Sequence, residues 1–594
     1  MIAQAKQILQ DYYGYSTFKK GQEEVIRSIL EGRDTLSIMP TGSGKSVCYQ
    51  IPALLLEGTI VVISPLISLM KDQVDALQQM NIPTTFINSS LTASEINRRM
   101  RDLAEGLFKL VYIAPERLES ERFQQMMNQL KVPFVAIDEA HCVSQWGHDF
   151  RPSYMNIRRW IKQLPMKPTV AAFTATATTK VIDDISANLS LVKPLLVRTG
   201  YARDNLAFSV ISGVKKKDYM LDYLTSRKHQ SGIIYASTRK EVDDCYRQLV
   251  KLGFKAGKYH AGLSEDERIR FQDEFLYDDI KLMVATNAFG MGIDKSNVRF
   301  VIHYNMPRNV ESYYQEAGRA GRDGEPSECL LLFSPQDIIT QKFLIEQSDT
   351  DEIRKRSEYS NLQYMIEYCH TTQCLQKYIV NYFGDTDYEK CEQCSQCLDT
   401  REFQDVTSEA LKIFSCVKRM GQRFGVTITA KVLKGSKDAR VKQFGFDKLS
   451  TFGLLSPYKE QEIILLINTL IADGYLSLSE GKFPVISLKS RVLQVFEGNE
   501  QVFQRKAPEI QSSVRNNVNS ILFEALRAMR KQIADKERVP PFTIFHDSTL
   551  REMCELLPQT EEDMLAVKGL GKVKLRKYGR AFIACIREHA VVSS

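Results

Sequence analysis

The chain has 594 residues, of which 25% are charged and 43% hydrophobic; this is ordinary globular composition, too apolar for a chain whose main state is disordered. Its 79 Lys+Arg against 72 Asp+Glu leave a net +7, which permits nucleic-acid binding without demanding it. No apolar run approaches the roughly 18 residues of a spanning helix, and Met1–Tyr15 lacks the apolar core of a signal peptide, so an intracellular protein free of the membrane is expected. At about 150 residues per domain, about four domains are expected.

Residues 1 to about 200 alternate short apolar runs with amphipathic stretches. Thr59–Ser64, Lys109–Ile113 and Phe134–Ile137 read as strands buried on both faces. A second cycle follows in Gly232–Tyr235, Leu282–Ala285, Val298–His303 and Cys329–Phe333. Strands alternating with helical segments predict two tandem α/β units with parallel sheets, joined near Gly200–Asn205. Beyond about 340 the pattern turns helical and then Cys-rich. Helical segments ending in two strands around Glu480-Gly481 suggest a winged helix. Residues 497–514 are polar and read as a linker. The remainder reads as all-helical, broken at Pro540-Pro541, with a helix start at Thr560 and Asp563.

Met39–Ser46 (MPTGSGKS) lies between an apolar segment and a helix-compatible one, the context of a phosphate loop. Thr41, Gly42, Ser43 and Gly44 would bring backbone N–H groups to phosphates, Lys45 would reach the β/γ-phosphates and Ser46 would ligate magnesium. The full pattern fails at its first position, Met39, and a Gly/Ser turn with an exposed lysine would also fit. Asp138–His141 (DEAH) follows a strand, where Asp138 could hold magnesium through water and Glu139 could polarise the attacking water. Together the two motifs point to ATP hydrolysis. In QEAGRAGRDG (315–324), Arg319 and Arg322 share a face if the segment is helical. A fixed fork of donors suits phosphate oxygens, though a solvated surface is the alternative. Trp146, His148, Phe150 and Arg151, just past DEAH, form a stacking-plus-charge set suited to unstacked bases; core aromatics under a loop are the competing reading.

These motifs, with YGYSTFKKGQ (13–22), SPLISLMKDQ (64–73), APERL (114–118), FTATAT (173–178), YASTRKE (235–241) and VATNAFGMGIDK (284–295), resemble in kind and order the RecQ family of superfamily 2 helicases, over nearly the whole chain. The resemblance implies two RecA-like domains at 1–205 and 206–342, a helical zinc-binding subdomain at 343–402, a winged helix at 403–496, the linker at 497–514 and a helical HRDC domain at 515–594. It implies ATP-dependent 3′–5′ unwinding of DNA in repair and recombination, with ATP, magnesium and structural zinc. It further implies single-stranded and duplex DNA as partners, single-strand-binding protein as a candidate partner, a monomer, and a bacterial, nucleoid-associated location in the cytoplasm. Tyr15 would stack on adenine and Gln22 would read its edge, with Lys19 beside them where the family carries Arg. Ala114 stands where the family carries Thr or Ser. Gln315, Arg319 and Arg322 would close the site from the second domain, with Arg322 as the arginine finger. The loop holding Trp146 would sense single-stranded DNA.

Five of the twelve cysteines fall between Cys369 and Cys397. Cys374, Cys391, Cys394 and Cys397 are spaced C-x16-C-x2-C-x2-C, and four thiolates fit tetrahedral zinc with no position left for water. Cys369 is left out because the resemblance aligns Cys374 with the family's first ligand. Residues 567–579 (VKGLGKVKLRKYG) suit either phosphate backbone or helix packing. An RNA helicase and an ATP-gated DNA-binding or remodelling protein without strand separation are the competing functional readings.

Overall fold

The structure, a computed structural model, describes residues 1–594 except 148, 291–294, 349, 480, 506–520 and 591–594, together with the side chains of 68 and 590. His148, the tip residue Glu480, residues 291–294 of the VATNAFGMGIDK motif and residues 506–514 of the predicted linker lie outside the described residues.

The first α/β unit holds seven strands: β1 (Thr35–Ile38), β2 (Ile60–Ile63), β3 (Thr84–Ile87), β4 (Leu110–Ile113), β5 (Phe134–Ile137), β6 (Thr169–Thr174) and β7 (Leu195–Arg198). All pair in parallel, in the order β3-β4-β2-β5-β6-β1-β7. Sequences such as IVVI, LVYI and FVAI are buried throughout because helices cover both faces. Alternate residues serve opposite cores: Val61, Val111 and Val135 face one, Ile60, Leu110 and Phe134 the other.

The second unit is a parallel sheet of β8 (Leu206–Ser212), β9 (Ser231–Tyr235), β10 (Ala256–Tyr259), β11 (Leu282–Ala285), β12 (Val298–His303) and β13 (Ser327–Phe333), in the order β10-β11-β9-β12-β13-β8. Helix starts are set locally. Ser264 and Glu267 form a capping box, and the Asn309 side chain accepts from Ser312 N–H to start helix Val310–Ala317.

Helices Glu352–His370 and Leu375–Tyr382 pack on the second unit. The Tyr382 hydroxyl donates to Glu311 at 2.6 Å, and Phe383 stacks on Tyr201 at 4.5 Å between centroids. A third core, from Val406 to Val502, gathers helices Thr407–Arg419, Val426–Lys434 and Glu460–Ala472 under the hairpin β15–β16 (Leu476–Leu478, Ile486–Leu488). This is the winged helix. Flanking this core, β14 (Phe403–Asp405) before its first helix pairs antiparallel with β17 (Phe503–Arg505) after the hairpin, so part of the stretch predicted to be linker is strand. Val502 explains the difference: its side chain is buried, its N–H reaches Thr407 Oγ1 at 2.8 Å, and its carbonyl accepts from Val406. The C-terminal domain, from Ile521, is all-helical with its own core around Leu526, Leu550 and Phe582. A 17-residue helix ends at Glu537 before Pro540-Pro541, and Thr560 and Asp563 form a capping box. No helix among the described residues is long and apolar enough to cross a membrane.

Candidate active site

Strands β1, β6 and β5 are neighbours, so the segments after them converge at one sheet edge. After β1 comes Met39–Ser46, where Gly42 and Gly44 both take φ +81°, a conformation L side chains rarely adopt. Ser46 immediately precedes helix Val47–Leu55, and its side chain makes no capping bond to it. After β5 comes Asp138, whose carboxylate accepts from Glu139 N–H at 3.0 Å. Burial, then the neighbouring Glu139, push the Asp138 carboxyl up to about 7, against the pull of Lys45. Glu139 itself has φ +47°, a strained backbone held at this turn. His141 Nδ1 lies 3.3 Å from Glu139 Oε2 and 3.0 Å from Thr174 Oγ1 at the end of β6.

Tyr15, Lys19, Gln22, Thr41, Gly42, Gly44, Lys45, Ser46, Asp138, Glu139, Gln315, Arg319 and Arg322 all line one cleft of about 420 Å³. Ser43 turns inward, its hydroxyl donating to the Pro40 carbonyl at 2.6 Å. Gln22 is engaged with the phosphate loop: it accepts from Lys19 N–H at 2.9 Å and donates to the Ser43 and Gly44 carbonyls at 3.1 Å. Lys19 Nζ reaches the Gly42 carbonyl at 3.4 Å.

The second unit faces this edge with helix Val310–Ala317 and the turn after it. Gln315 donates to Thr176 Oγ1 at 3.3 Å, a contact across the two units. The premise that Arg319 and Arg322 share a helical face fails, because the helix ends at Ala317 and Gly321 takes φ +58°. Both arginines reach the cleft from the turn instead. Arg319 packs against Gly290, where a Cβ would lie 2.6 Å from its guanidinium.

Trp146 is 39% exposed, which removes the core-packing reading of that residue. Lys180 Nζ lies 3.1 Å from its ring centroid. Phe150 is half-buried. Arg151 binds Asp149 at 3.1 Å and the Pro65 carbonyl at 2.9 Å, so its guanidinium braces the loop from within. Arg354, on helix Glu352–His370, donates to the carbonyls of Gln145 and Gly147. Asp149, two residues from Arg151, lines the cleft, so one loop carries both an exposed aromatic and a wall of the cleft.

The sulfurs of Cys374, Cys391, Cys394 and Cys397 lie within 4.8 Å of one another. The separations Cys374–Cys391 and Cys374–Cys394 are 3.5 and 3.9 Å; zinc–sulfur bonds of 2.3 Å in a tetrahedron require roughly 3.8 Å. N–H groups of Leu375, Lys377, Cys391 and Cys394 point at these sulfurs at 3.3–3.4 Å, as thiolates require. Cys369 is not in the group.

The C-terminal domain also reaches the cleft, with Phe542, His546, Lys574 and Lys577 among its walls. The basic segment around Lys568–Lys577 turns to the α/β units. Gly569 N–H donates to the Gly14 carbonyl at 3.2 Å and Lys572 pairs with Asp11 at 2.9 Å. Lys574 is half-buried and donates to the Thr543 carbonyl at 2.7 Å; desolvation pulls its ammonium down to about 8. Sequence reasoning missed Arg203 and Arg354, since each acts through contacts more than 100 residues away in the chain, and it missed Asp149, Phe542 and His546 as cleft residues, because only the fold brings them to the cleft.

Two parallel sheets with a phosphate loop and a DEAH turn on one and an arginine-bearing turn on the other define an ATP-driven helicase motor. Successive segments match the family models "DEAD/DEAH box helicase" (19–185), "Helicase conserved C-terminal domain" (215–324), "RecQ zinc-binding" (335–398), "RQC domain" (400–513) and "HRDC domain" (521–586). The chain is 49% identical over 591 residues to the ATP-dependent DNA helicase RecQ of Bacillus subtilis, covering 99% of both chains. The RecQ of Haemophilus influenzae is 38% identical over 99% of this chain and 96% of its own. The ATP-dependent helicase SGS1 of Saccharomyces cerevisiae is 38% identical over 77% of this chain and 33% of its own. The chain belongs to the RecQ family of ATP-dependent DNA helicases.

Proposed function

We propose that this enzyme translocates 3′ to 5′ on single-stranded DNA and unwinds duplex or branched DNA in repair and recombination. The observation that carries the reading is the single cleft in which Lys45, Asp138 and Glu139 of the first unit meet Gln315, Arg319 and Arg322 of the second. ATP bound on the loop Thr41–Ser46 draws the halves together. Lys45 meets its β/γ-phosphates, Glu139 orients the attacking water, and Arg322 stabilises charge on the transferring phosphoryl group. Tyr15 offers adenine a ring, and Gln22 can read its edge by leaving the phosphate loop. Magnesium fits a buried carboxyl beside Lys45, with Ser46 and Asp138 as its holders; it would neutralise charge on the β- and γ-oxygens. Zinc on Cys374, Cys391, Cys394 and Cys397 would be structural.

DNA binding is phosphate-directed and therefore weakens with salt. Trp146 stacks on an unpaired base, with His148 and Phe150 as further members of the DNA-binding set. The hairpin carries Phe483, 82% exposed, as a ring available at the first base pair. The relatives, the zinc-binding match and the HRDC match oppose both an RNA helicase and a motor without strand separation. The enzyme acts in the cytoplasm on nucleoid DNA as a monomer, with single-strand-binding protein as a candidate partner.

A forked-duplex assay tests this. With ATP and magnesium, forks with a 3′ tail separate and forks with only a 5′ tail do not. Lys45→Ala binds the same fork but neither hydrolyses ATP nor unwinds; retained hydrolysis in that variant would refute the site assignment.

A further inference from the structure

Arg203 belongs to the short junction between the two sheets, three residues before β8. Its guanidinium is buried, and among the described residues no carboxylate forms an ion pair with it. Such a cation is costly unless its donors are satisfied. Here they are satisfied by backbone from both halves of the motor. One end of the fork donates to the Thr41 carbonyl in the phosphate loop. The other donates to the carbonyls of Ala320 and Gly321, at 3.3 and 3.1 Å, in the turn that carries Arg319 and Arg322. Asn205 reinforces that end: it accepts from Arg203 Nε at 3.4 Å and donates to the Gly321 carbonyl at 2.8 Å. The two turns nearly touch at this point. A Cβ on Gly42 would lie 3.4 Å from Arg322 Cα and 3.6 Å from the Arg203 guanidinium, and one on Gly318 would lie 3.3 Å from Thr41 Cβ.

A planar fork can hold carbonyls on two sides at once, whereas an ammonium cannot fix the angle between them. We propose that Arg203 is a positioning residue for ATP hydrolysis, a brace between the Thr41 and Ala320–Gly321 carbonyls that sets where Arg322 meets the phosphoryl group. It touches no substrate and acts through Arg322, so it rests on the finger role given to that residue above. The brace spans the surfaces that part when the cleft opens, so it is made and broken as the motor cycles.

The test is DNA-stimulated ATP hydrolysis by the full chain, with Arg203→Ala, Arg203→Lys, Arg322→Ala and the double Arg203→Ala/Arg322→Ala. Arg203→Ala and Arg203→Lys each lower kcat about 10²-fold, as expected for a misplaced catalytic group. The KM for ATP stays within about threefold, since ground-state contacts are kept. The double variant is no slower than Arg322→Ala alone, because a residue acting through a missing partner has nothing left to lose. Wild-type kcat in Arg203→Lys would overturn the proposal, as would a raised KM with unchanged kcat, or losses that multiply in the double variant. If Arg203→Ala melts early, Arg203→Lys decides by the same split between kcat and KM. A full rate in Arg322→Ala alone would refute the finger role, and the brace with it. Loss in Arg322→Ala with a full rate in both Arg203 variants would refute the brace only.

Discussion

Trp146 stands between two partners. Lys180 Nζ sits 3.1 Å from its ring centroid, and such a contact at an exposed site is worth about 0.5–1 kcal/mol. A base stacked on the same ring gains about 1–3 kcal/mol. On the proposed DNA-binding reading, stacking on the ring would therefore outcompete the lysine contact. The loop is fastened at both sides of the ring: Arg354 takes the Gln145 and Gly147 carbonyls, and Arg151 takes Asp149 and Pro65. Gly147 is required there, because a Cβ would lie 2.3 Å from the His141 carbonyl. The loop thus joins Trp146 to Asp149 on the cleft wall, and His141, whose carbonyl abuts Gly147, lies 3.3 Å from Glu139; this is the path by which DNA at Trp146 is proposed to reach the cleft. Trp146→Ala should raise the single-stranded DNA concentration for half-maximal ATPase stimulation about 10-fold, the equivalent of about 1.4 kcal/mol of lost stacking. The DNA-free rate should be unchanged. A stimulation curve that matches the wild type would assign the ring to loop packing. That Trp146 sits exposed on a loop was legible in the sequence, because turn formers and aromatics share a short segment. Arg354 was not: nothing near residue 354 marks it, and its partners lie about 200 residues earlier.

At the scale of elements, whatever is local in physics was legible. Apolar runs such as FVAI are strands because both faces are covered, and their ends carry the motifs. The cysteine spacing predicted one cluster, and three of its four sulfurs come from seven residues. The arginine turn was misread in form, since Gly318 and Gly321 end the helix that the spacing suggested. The strand Phe503–Arg505 was hidden by its polar surroundings, and only its partner Phe403–Asp405, about 100 residues away, fixes it. The cluster also has a mechanical role. Cys374 begins helix Leu375–Tyr382, whose Tyr382 holds Glu311 on the helix that carries Gln315. Gln393 and Ser395, between the ligands, bond β8 and its lead-in. Structural zinc sites contribute folding energy outright, with apparent binding of about 10–16 kcal/mol in small domains. Cys391→Ala, or chelation of the whole chain, should lower the first melting transition by about 5–10 °C, as expected when part of a large cooperative unit loses several kcal/mol. Calorimetry checks this, with released zinc measured by a colorimetric chelator. Full thermal stability after release would show that the cluster folds without the metal.

At the scale of the whole molecule, the modest net charge becomes informative. Basic residues are dispersed, and several of them, though partly exposed, join modules. The C-terminal domain grips the first motor half through Lys572–Asp11 at 2.9 Å and the Gly569–Gly14 backbone bond. It grips the second half through Lys531–Asp279 at 2.7 Å, Arg551–Glu325 at 2.5 Å and His546 against Ser296 at 2.9 Å. A body attached to both halves resists their relative motion, and the motor needs that motion in every cycle. Each ion pair is partly exposed, so each contributes about 0.2–1 kcal/mol. Three together reach about 0.6–3 kcal/mol, enough to shift an open–closed equilibrium about 3–150-fold. The triple variant Lys531→Glu, Arg551→Glu, Lys572→Glu converts three attractions into repulsions without touching the catalytic residues. It should hydrolyse ATP about 5-fold faster than the wild type in the absence of DNA at low ionic strength. Because the Debye length falls to about 3 Å at 1 M salt, the difference should shrink as salt rises. Steady-state ATPase across a salt series measures both effects. Equal rates at low salt would mean that the domain rides on the motor without restraining it, and that the contacts with Asp11, Asp279 and Glu325 serve only to tether it.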